Sequence, residues 1–277
     1  MNNTVKRTIS GVCFVAIVLG GLLFSKYVFL AIALAAELVM MTEFCEMTLS
    51  GDHRPQKAVT LASGAFLLLL FFAVRAFSLP MGWLSTGILA PMAVMVSMLL
   101  TRSKENFPLT AYLLTALVYI ALPVSLSTLV VMDGEGGFNG MLMVCFFIIV
   151  WSSDIGAYCF GMTLGRNGRK LCPTISPGKS WAGFWGGLAC TVAAAAILSA
   201  VGAFDVPMLP ALGLGVLMHL AGVAGDLFES MWKRSYSLKD SGNIIPGHGG
   251  MLDRLDSSLF AMPVGALYLI LLNLITI

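Results

Sequence analysis

Charged residues are scarce in this chain. Only 11% of its 277 residues are Asp, Glu, Lys or Arg, whereas 58% are apolar and the mean hydropathy is +0.91. A typical soluble domain has about 25% charged and about 45–50% apolar residues. A separate soluble domain is therefore excluded, because the longest polar intervals are only 164–180 and 233–256. The formal net charge of +2 is too small to indicate a nucleic-acid partner.

Paired cysteines, a complete phosphate-binding loop and internal repeats are also missing. The six cysteines form no C-x-x-C pair, so neither a structural zinc site nor a disulfide framework is indicated. The tripeptide Gly178-Lys179-Ser180 lacks the upstream glycine and the preceding strand of a P-loop. No matched pair of interrupted helices is present, which argues against a secondary transporter.

Apolar stretches recur along the whole chain, and each is long enough to cross a membrane. They predict an all-α, polytopic integral membrane protein with about nine transmembrane helices. We expect a single transmembrane domain over 1–277, with a row of apolar helices over 1–137 and a catalytic C-terminal half over 138–277. The predicted spans are 9–25, 27–47, 58–77, 82–100, 109–131, 139–163, 181–203, 208–232 and 257–277.

The distribution of Lys and Arg predicts the orientation of these spans. With the N-terminus in the cytoplasm, fourteen of the sixteen basic residues lie on the cytoplasmic side, and only Lys26 and Arg75 lie on the other. Because cytoplasmic loops are enriched in Lys and Arg, the predicted number of spans and the predicted orientation support each other. We therefore expect a cytoplasmic active site built from 164–180 and 233–256. The short length of the chain favours a bacterial inner membrane.

The densest polar segment, residues 230–256, reads SMWKRSYSLKDSGNIIPGHGGMLDRLD. Carboxylates can hold a divalent cation, basic side chains can neutralise phosphates, and glycines let backbone N–H groups approach an anion. A basic flank that only contacts lipid headgroups needs neither the carboxylates nor the turn formers. The segment therefore predicts metal-assisted chemistry on phosphates at a membrane surface.

Two pairs of carboxylates, each three residues apart, are the candidate metal ligands. Asp226 and Glu229 share a helical face where an apolar run ends, and an ionisable group there needs a partner. Asp253 and Asp256 repeat this spacing, although Asp256 also fits a helix N-cap. Our hypothesis is that Asp226 and Asp253 hold Mg²⁺, which prefers a few carboxylates plus substrate phosphate oxygens. Asp256, Glu229 and Asp154 are further candidate ligands, for this ion or for a second divalent or monovalent cation.

The basic residues near these carboxylates are the candidate phosphate ligands. Lys179 opens a predicted helix, where backbone N–H groups can also meet an anion. Lys233 and Arg234 could instead pair with Asp226 and only anchor its helix at the interface. His248 lies between two glycines and could donate to a phosphate or stabilise the turn, and both roles stay open. The other two histidines, His53 in a short polar loop and His219 in an apolar run, are interpreted as structural or solvated.

The whole pattern resembles the phosphatidate cytidylyltransferases, also called CDP-diacylglycerol synthases. The hallmark of that family runs S-x-x-K-R, four residues, K-D, then P-x-H-G-G, two residues and D-R-x-D. The resemblance is specific in the second half of the chain, and the first half matches only as a row of apolar helices. The hallmark is carried by Ser230, Lys233, Arg234, Lys239, Asp240, Pro246, His248, Gly249, Gly250, Asp253, Arg254 and Asp256. Neighbouring family blocks are carried by Gly225, Asp226, Ser153, Asp154, Gly156, Ala157, Tyr158, Ile175, Ser176, Pro177, Lys179 and Trp181.

The resemblance implies a reaction in phospholipid biosynthesis, in which CTP and phosphatidic acid give CDP-diacylglycerol and pyrophosphate. The lipid phosphate would attack the α-phosphorus of CTP with the assistance of Mg²⁺, and the family suggests a homodimer in contact with membrane lipids. The implied catalytic residues are Asp226, Asp253, Lys239, Asp240 and Arg254. The implied substrate-binding residues are Lys179, Ser176, Ser230, Lys233, Arg234, His248, Gly249 and Gly250.

The chain departs from the family pattern at two positions, and two other functions stay open. Family members usually have a glutamate where this chain has Ala182. This departure weakens the prediction of a functional role for any residue of the loop 164–180 other than Lys179. Trp232 replaces a smaller aliphatic residue or Phe.

A CTP-dependent lipid kinase would use the same metals and cations, and a cation-coupled transporter could use Asp226 and Asp154. A CDP-alcohol phosphotransferase is disfavoured because its D-G-x-x-A-R run is absent.

Overall fold

The structure, a computed structural model, describes residues 3–49, 53–101, 104–133, 135–245, 247 and 249–275, with side chains from residue 8 onward. The described residues are mostly helical and confirm an all-α polytopic membrane protein. The helices are α1 (Asn3–Phe24), α2 (Lys26–Thr48), α3 (Arg54–Ala76), α4 (Leu89–Ser97), α5 (Leu109–Ala116), α6 (Leu122–Val131), α7 (Met141–Thr163), α8 (Trp181–Ala200), α9 (Met208–Ser235) and α10 (Leu252–Leu271).

Eight helical segments of the described chain are long and apolar enough to cross a membrane. Two are composite. Met81–Thr101 joins α4 to 3₁₀ turns at both of its ends, and Leu109–Val131 joins α5 to α6 through a π-helical turn. Pro123 lies two residues after the end of this turn, and its missing N–H accounts for the local change in hydrogen bonding. The apolar part of α1, Thr8–Phe24, is shorter than these spans, so the count of nine stays a prediction.

The long polar connection between α7 and α8 contains a small β-hairpin that the sequence analysis treated as a loop. Strand β1 (Lys170–Cys172) pairs antiparallel with β2 (Ser176–Ser180), with Lys170 opposite Ser180. Strands of this length are too short to show a clear hydrophobic periodicity. The hairpin ends directly at the first residue of α8, so it fixes how the chain enters that helix.

The chain forms two compact units. The first contains Met1–Asn139 and Asp240–Arg254, and the second contains Gly140–Lys239 and Leu255–Ile277. In the first unit, α3 packs against α2, α4 and α6; in the second, α8 packs against α7 and α9. The division of the chain at 137/138, like the prediction of one domain, stays a prediction.

Lys26 and Arg75, the two basic residues predicted on the outer side, bind backbone carbonyls in the first unit. Lys26 Nζ donates to Ala76 O (3.1 Å) and Gly136 O (3.2 Å), and Arg75 Nη2 donates to Met132 O (2.8 Å). Arg75 is 2% exposed, and a buried charge requires such partners. Both residues therefore join the end of α3 to the connection after α6. These contacts do not test which side of the membrane Lys26 and Arg75 face, so the predicted orientation of the helices stays a prediction.

Candidate active site

The last two turns of α9 carry two hydrogen-bonded pairs of polar side chains. Ser230 Oγ donates to Asp226 Oδ1 (3.3 Å), and Lys233 Nζ donates to Glu229 Oε2 (2.7 Å). Both pairs have the i, i+4 spacing that brings side chains together on a helix. The side chains of Lys233 and Glu229 are 10% and 1% exposed, so each neutralises the other in a buried position. Lys233 therefore pairs with Glu229, a partner that the sequence alone did not indicate.

Asp226 is instead paired with a lysine from the hairpin. Lys179 lies in β2, and its Nζ forms an ion pair with Asp226 Oδ2. The next residue, Ser180, is the N-cap of α8, and its side chain accepts a hydrogen bond from Gly183 N (3.1 Å). The Gly-Lys-Ser tripeptide is thus a strand end and a helix cap that presents Lys179 to a carboxylate.

Four carboxylates of the second unit interact electrostatically. Asp256, in the first turns of α10, is repelled by Asp226, Glu229 and Asp154. Helices α9 and α10 approach closely here, because a Cβ added at Gly225 would lie 2.6 Å from Asp256 O. Such a concentration of like charge at the end of an apolar helix is unfavourable without cations. We refer to Asp154, Asp226, Glu229 and Asp256 as the carboxylate cluster.

The donor chemistry of the carboxylate cluster fits Mg²⁺, which prefers oxygen ligands. Among the residues that the structure describes, no group of three or more His, Cys, Asp and Glu side chains is arranged to hold a metal ion by itself. Mg²⁺ needs only one or two protein carboxylates when substrate phosphates and water complete its coordination. The residues present therefore fit a metal ion that binds together with a phosphate substrate, and they do not form a closed protein cage.

Asp253, in the first unit, organises the segment 240–254. Its Oδ2 atom accepts hydrogen bonds from Gly250 N (2.7 Å), Ser241 N (2.9 Å) and Ser241 Oγ (3.0 Å). Charge-assisted bonds of this kind are stronger than neutral ones, so the carboxylate fixes both ends of the segment. Gly249 has a φ of +83°, which only glycine adopts readily, and its carbonyl accepts from Ile245 N (3.0 Å). Because Asp253 and Asp226 belong to different units, their joint binding of a metal stays a prediction.

Several other predicted site residues are exposed to solvent. Arg234 is exposed, and its Nη1 donates to Leu238 O (2.8 Å). Ser176 is half-buried at the start of β2. His248 lies outside the described residues. The remaining exposed site residues are Asp154, Lys239, Asp240 and Arg254.

No prediction from the sequence included Glu43 or the contact that His219 makes. Glu43, in α2, accepts hydrogen bonds from the segment 240–254. A carboxylate within an apolar run was the signal that could have identified it. His219 is fully buried, and its Nδ1 atom lies 2.8 Å from Ser153 Oγ, which holds α9 to α7 beside Asp154. The interpretation of His219 as structural agrees with this contact.

The family model and two relatives that match this chain are all cytidylyltransferases. A model of the Cytidylyltransferase family matches residues 5–272. The phosphatidate cytidylyltransferase of Bacillus subtilis (strain 168) is 36% identical over 177 residues, which are 64% of this chain and 64% of that protein. The phosphatidate cytidylyltransferase of Staphylococcus aureus (strain COL) is 45% identical over 118 residues, which are 43% of this chain and 45% of that protein. The matched region therefore spans less than two thirds of the length of these relatives.

Proposed function

This chain belongs to the cytidylyltransferase family, and from that premise we propose that it transfers a cytidylyl group from CTP to phosphatidic acid. The products are CDP-diacylglycerol and pyrophosphate. The structural observation that carries the proposal is the ion pair between Lys179 and Asp226, a member of the carboxylate cluster. It combines both signs of charge at the end of an apolar helix, as a metal-assisted reaction between two anions requires.

The reaction joins two anions, so repulsion between them is the main obstacle. A phosphate oxygen of phosphatidic acid attacks the α-phosphorus of CTP, and the bond from that phosphorus to the α,β-bridging oxygen breaks. The electron pair of that bond leaves with pyrophosphate. Because the nucleophile is already an anionic phosphate, no strong general base is needed. Catalysis then consists of positioning the reactants and stabilising charge in the transition state.

We assign the metal ligands within this proposal to Asp226 and Asp253, with Asp256, Glu229 and Asp154 as further candidates. When bound, Mg²⁺ supplies Lewis-acid stabilisation of the phosphate charge. Lys179 holds the Asp226 carboxylate in place by an ion pair. A phosphate bound next to Asp226 would therefore lie within reach of the Lys179 ammonium group. Both carboxylates are paired with a lysine, but the Glu229 side chain is only 1% exposed and that of Asp226 is 29% exposed, so Glu229 ranks below Asp226 as a ligand.

The exposed basic residues are assigned to the nucleotide. Lys239, Arg234 and Arg254 have accessible side chains and would neutralise the phosphates of CTP or the departing pyrophosphate. Lys233 supports the carboxylate cluster through Glu229. The predicted roles of Ser176, Ser230, His248, Gly249 and Gly250 in substrate binding, and of Asp240 in catalysis, are part of the same proposal.

The setting proposed for this reaction is the bacterial plasma membrane. The apolar helices place the protein in the bilayer that contains its lipid substrate. The excess of Lys and Arg in the loops supports an N-terminus and a site on the cytoplasmic side, where CTP is available. The active form is proposed to be a homodimer, and cross-linking in native membranes tests that part of the proposal.

Metal removal tests the proposed reaction. The detergent-purified chain is incubated with CTP and phosphatidic acid in Mg²⁺, and then in EDTA. We expect equal amounts of CDP-diacylglycerol and pyrophosphate in Mg²⁺, a fall of about 100-fold or more in EDTA, and recovery on adding excess Mg²⁺. Diacylglycerol serves as the control lipid, because it lacks the attacking phosphate. Formation of CDP and a phosphorylated lipid from diacylglycerol, or full turnover in EDTA, would contradict the proposal.

A further inference from the structure

Glu43 joins the transmembrane helix α2 to the segment 240–254. Its Oε1 atom accepts a hydrogen bond from Met251 N (2.9 Å), and its Oε2 atom accepts from Leu252 N (2.9 Å) and lies 3.2 Å from Ser241 Oγ. The residue is only 7% exposed. A carboxylate is costly to bury unless it is well hydrogen-bonded, and here backbone N–H groups satisfy both oxygens.

The position of Glu43 makes it a cap for α10, supplied by a different helix. Leu252 is the first residue of α10, and the first N–H groups of a helix have no partner within the helix. A negative charge at this end also interacts favourably with the helix dipole. The segment closes tightly around the carboxylate, because a Cβ at Gly242 or Gly250 would lie 2.7 Å or 2.6 Å from a Glu43 oxygen.

The contacts of Glu43 continue to Asp253 through a shared hydroxyl. Ser241 Oγ lies 3.2 Å from Glu43 Oε2 and 3.0 Å from Asp253 Oδ2. Gly250, which is packed against Glu43, donates its N–H to Asp253 Oδ2 (2.7 Å). Any shift of the segment away from Glu43 would therefore move the atoms that hold Asp253.

We propose that Glu43 is a positioning residue for the cytidylyl transfer. It holds the start of α10 and the segment 240–254 so that Asp253 points in the direction the reaction requires. The kinetic part of this inference rests on the proposed function, whereas the anchoring of the segment does not. Removal of Glu43 should therefore displace the segment 240–254 and lower kcat. The packing of α3 against α6 does not involve Glu43, so the remaining helices should stay folded.

The test compares Glu43→Ala and Glu43→Gln with Glu46→Gln. Glu46 lies on the same helix, but its side chain is 67% exposed and pairs with Lys57 on the surface, so its variant is the matched control. Two readouts are measured: kcat and KM for CTP, and amide hydrogen exchange by mass spectrometry. Glutamine has the shape of glutamate and retains one acceptor oxygen, so Glu43→Gln keeps the test valid if the alanine variant does not fold.

We expect kcat to fall about 10- to 100-fold in Glu43→Ala and less in Glu43→Gln, with a KM within about twofold of the unchanged chain. Exchange should rise in peptides covering 240–254 and stay unchanged in α3 and α6. The Glu46→Gln variant should match the unchanged chain in both readouts. Unchanged exchange in 240–254, or a rise of equal size throughout the first unit, would overturn the proposal. If the unchanged chain had no turnover, the proposed function would fail, and the exchange result would still decide whether Glu43 anchors the segment.

Discussion

Replacement of Asp226 by asparagine is expected to lower CTP turnover by about 1,000-fold, equivalent to about 4 kcal/mol of transition-state stabilisation. Asparagine has nearly the same shape and can still accept the hydrogen bond from Ser230 Oγ. It lacks the negative charge that pairs with Lys179 and that would bind Mg²⁺. The loss should therefore appear in kcat, measured as pyrophosphate release with saturating CTP and phosphatidic acid.

Asp205→Asn is the matched control for this variant. Asp205 is an exposed carboxylate in the connection between α8 and α9, away from the carboxylate cluster in sequence. The control should turn over at the rate of the unchanged chain, and both variants should elute as single species of the same size. If Asp226→Asn kept more than about a tenth of the activity, it could not be a direct metal ligand of the reaction.

Replacement of Asp253 by asparagine is expected to have an effect of similar size, about 1,000-fold on turnover. Two physical losses combine here. The amide lacks the charge required of a metal ligand, and it accepts more weakly from Gly250 N and Ser241 N, which now bond to a carboxylate. Turnover measured together with hydrogen exchange over 240–254 separates these losses, because only the second one loosens the segment.

Ser241→Ala provides the comparison for Asp253→Asn. It removes the hydroxyl near Asp253 but keeps the carboxylate and both backbone donors. Loss of one such hydrogen bond costs about 1 kcal/mol, so turnover should fall only about fivefold to tenfold. If Asp253→Asn were no more damaging than Ser241→Ala, then the charge of Asp253 would not take part in the reaction.

The helical architecture could be predicted because apolar run length is a strong local signal. The ends of the helices that carry the site were harder to predict. Helix α9 was expected to end at 232 but continues to Ser235, because Lys233 and Arg234 are favourable at a helix C-terminus. The last predicted span began near 257, whereas helix α10 begins at Leu252, where Glu43 accepts a hydrogen bond from the N–H of this first residue.

The individual side-chain partners of the site could not be predicted. The motif identified Lys179, Asp226 and Lys233 as residues of interest, but their pairing depends on how the hairpin reaches α9. The hairpin itself has strands too short to show periodicity. The contact between Ser153 and His219 likewise requires two helices to be packed together before it is visible.

The position of a radioactive label tests the central claim most directly. Purified chain is given phosphatidic acid and Mg²⁺ with CTP that carries ³²P at either the α- or the γ-phosphate, and the lipid fraction is separated and counted. Cytidylyl transfer predicts that the α-label enters the lipid as CDP-diacylglycerol and that the γ-label is released as pyrophosphate. Entry of the γ-label into lipid would show phosphoryl transfer and would contradict the assignment. Recovery of both labels in unreacted CTP, from folded protein, would contradict it equally.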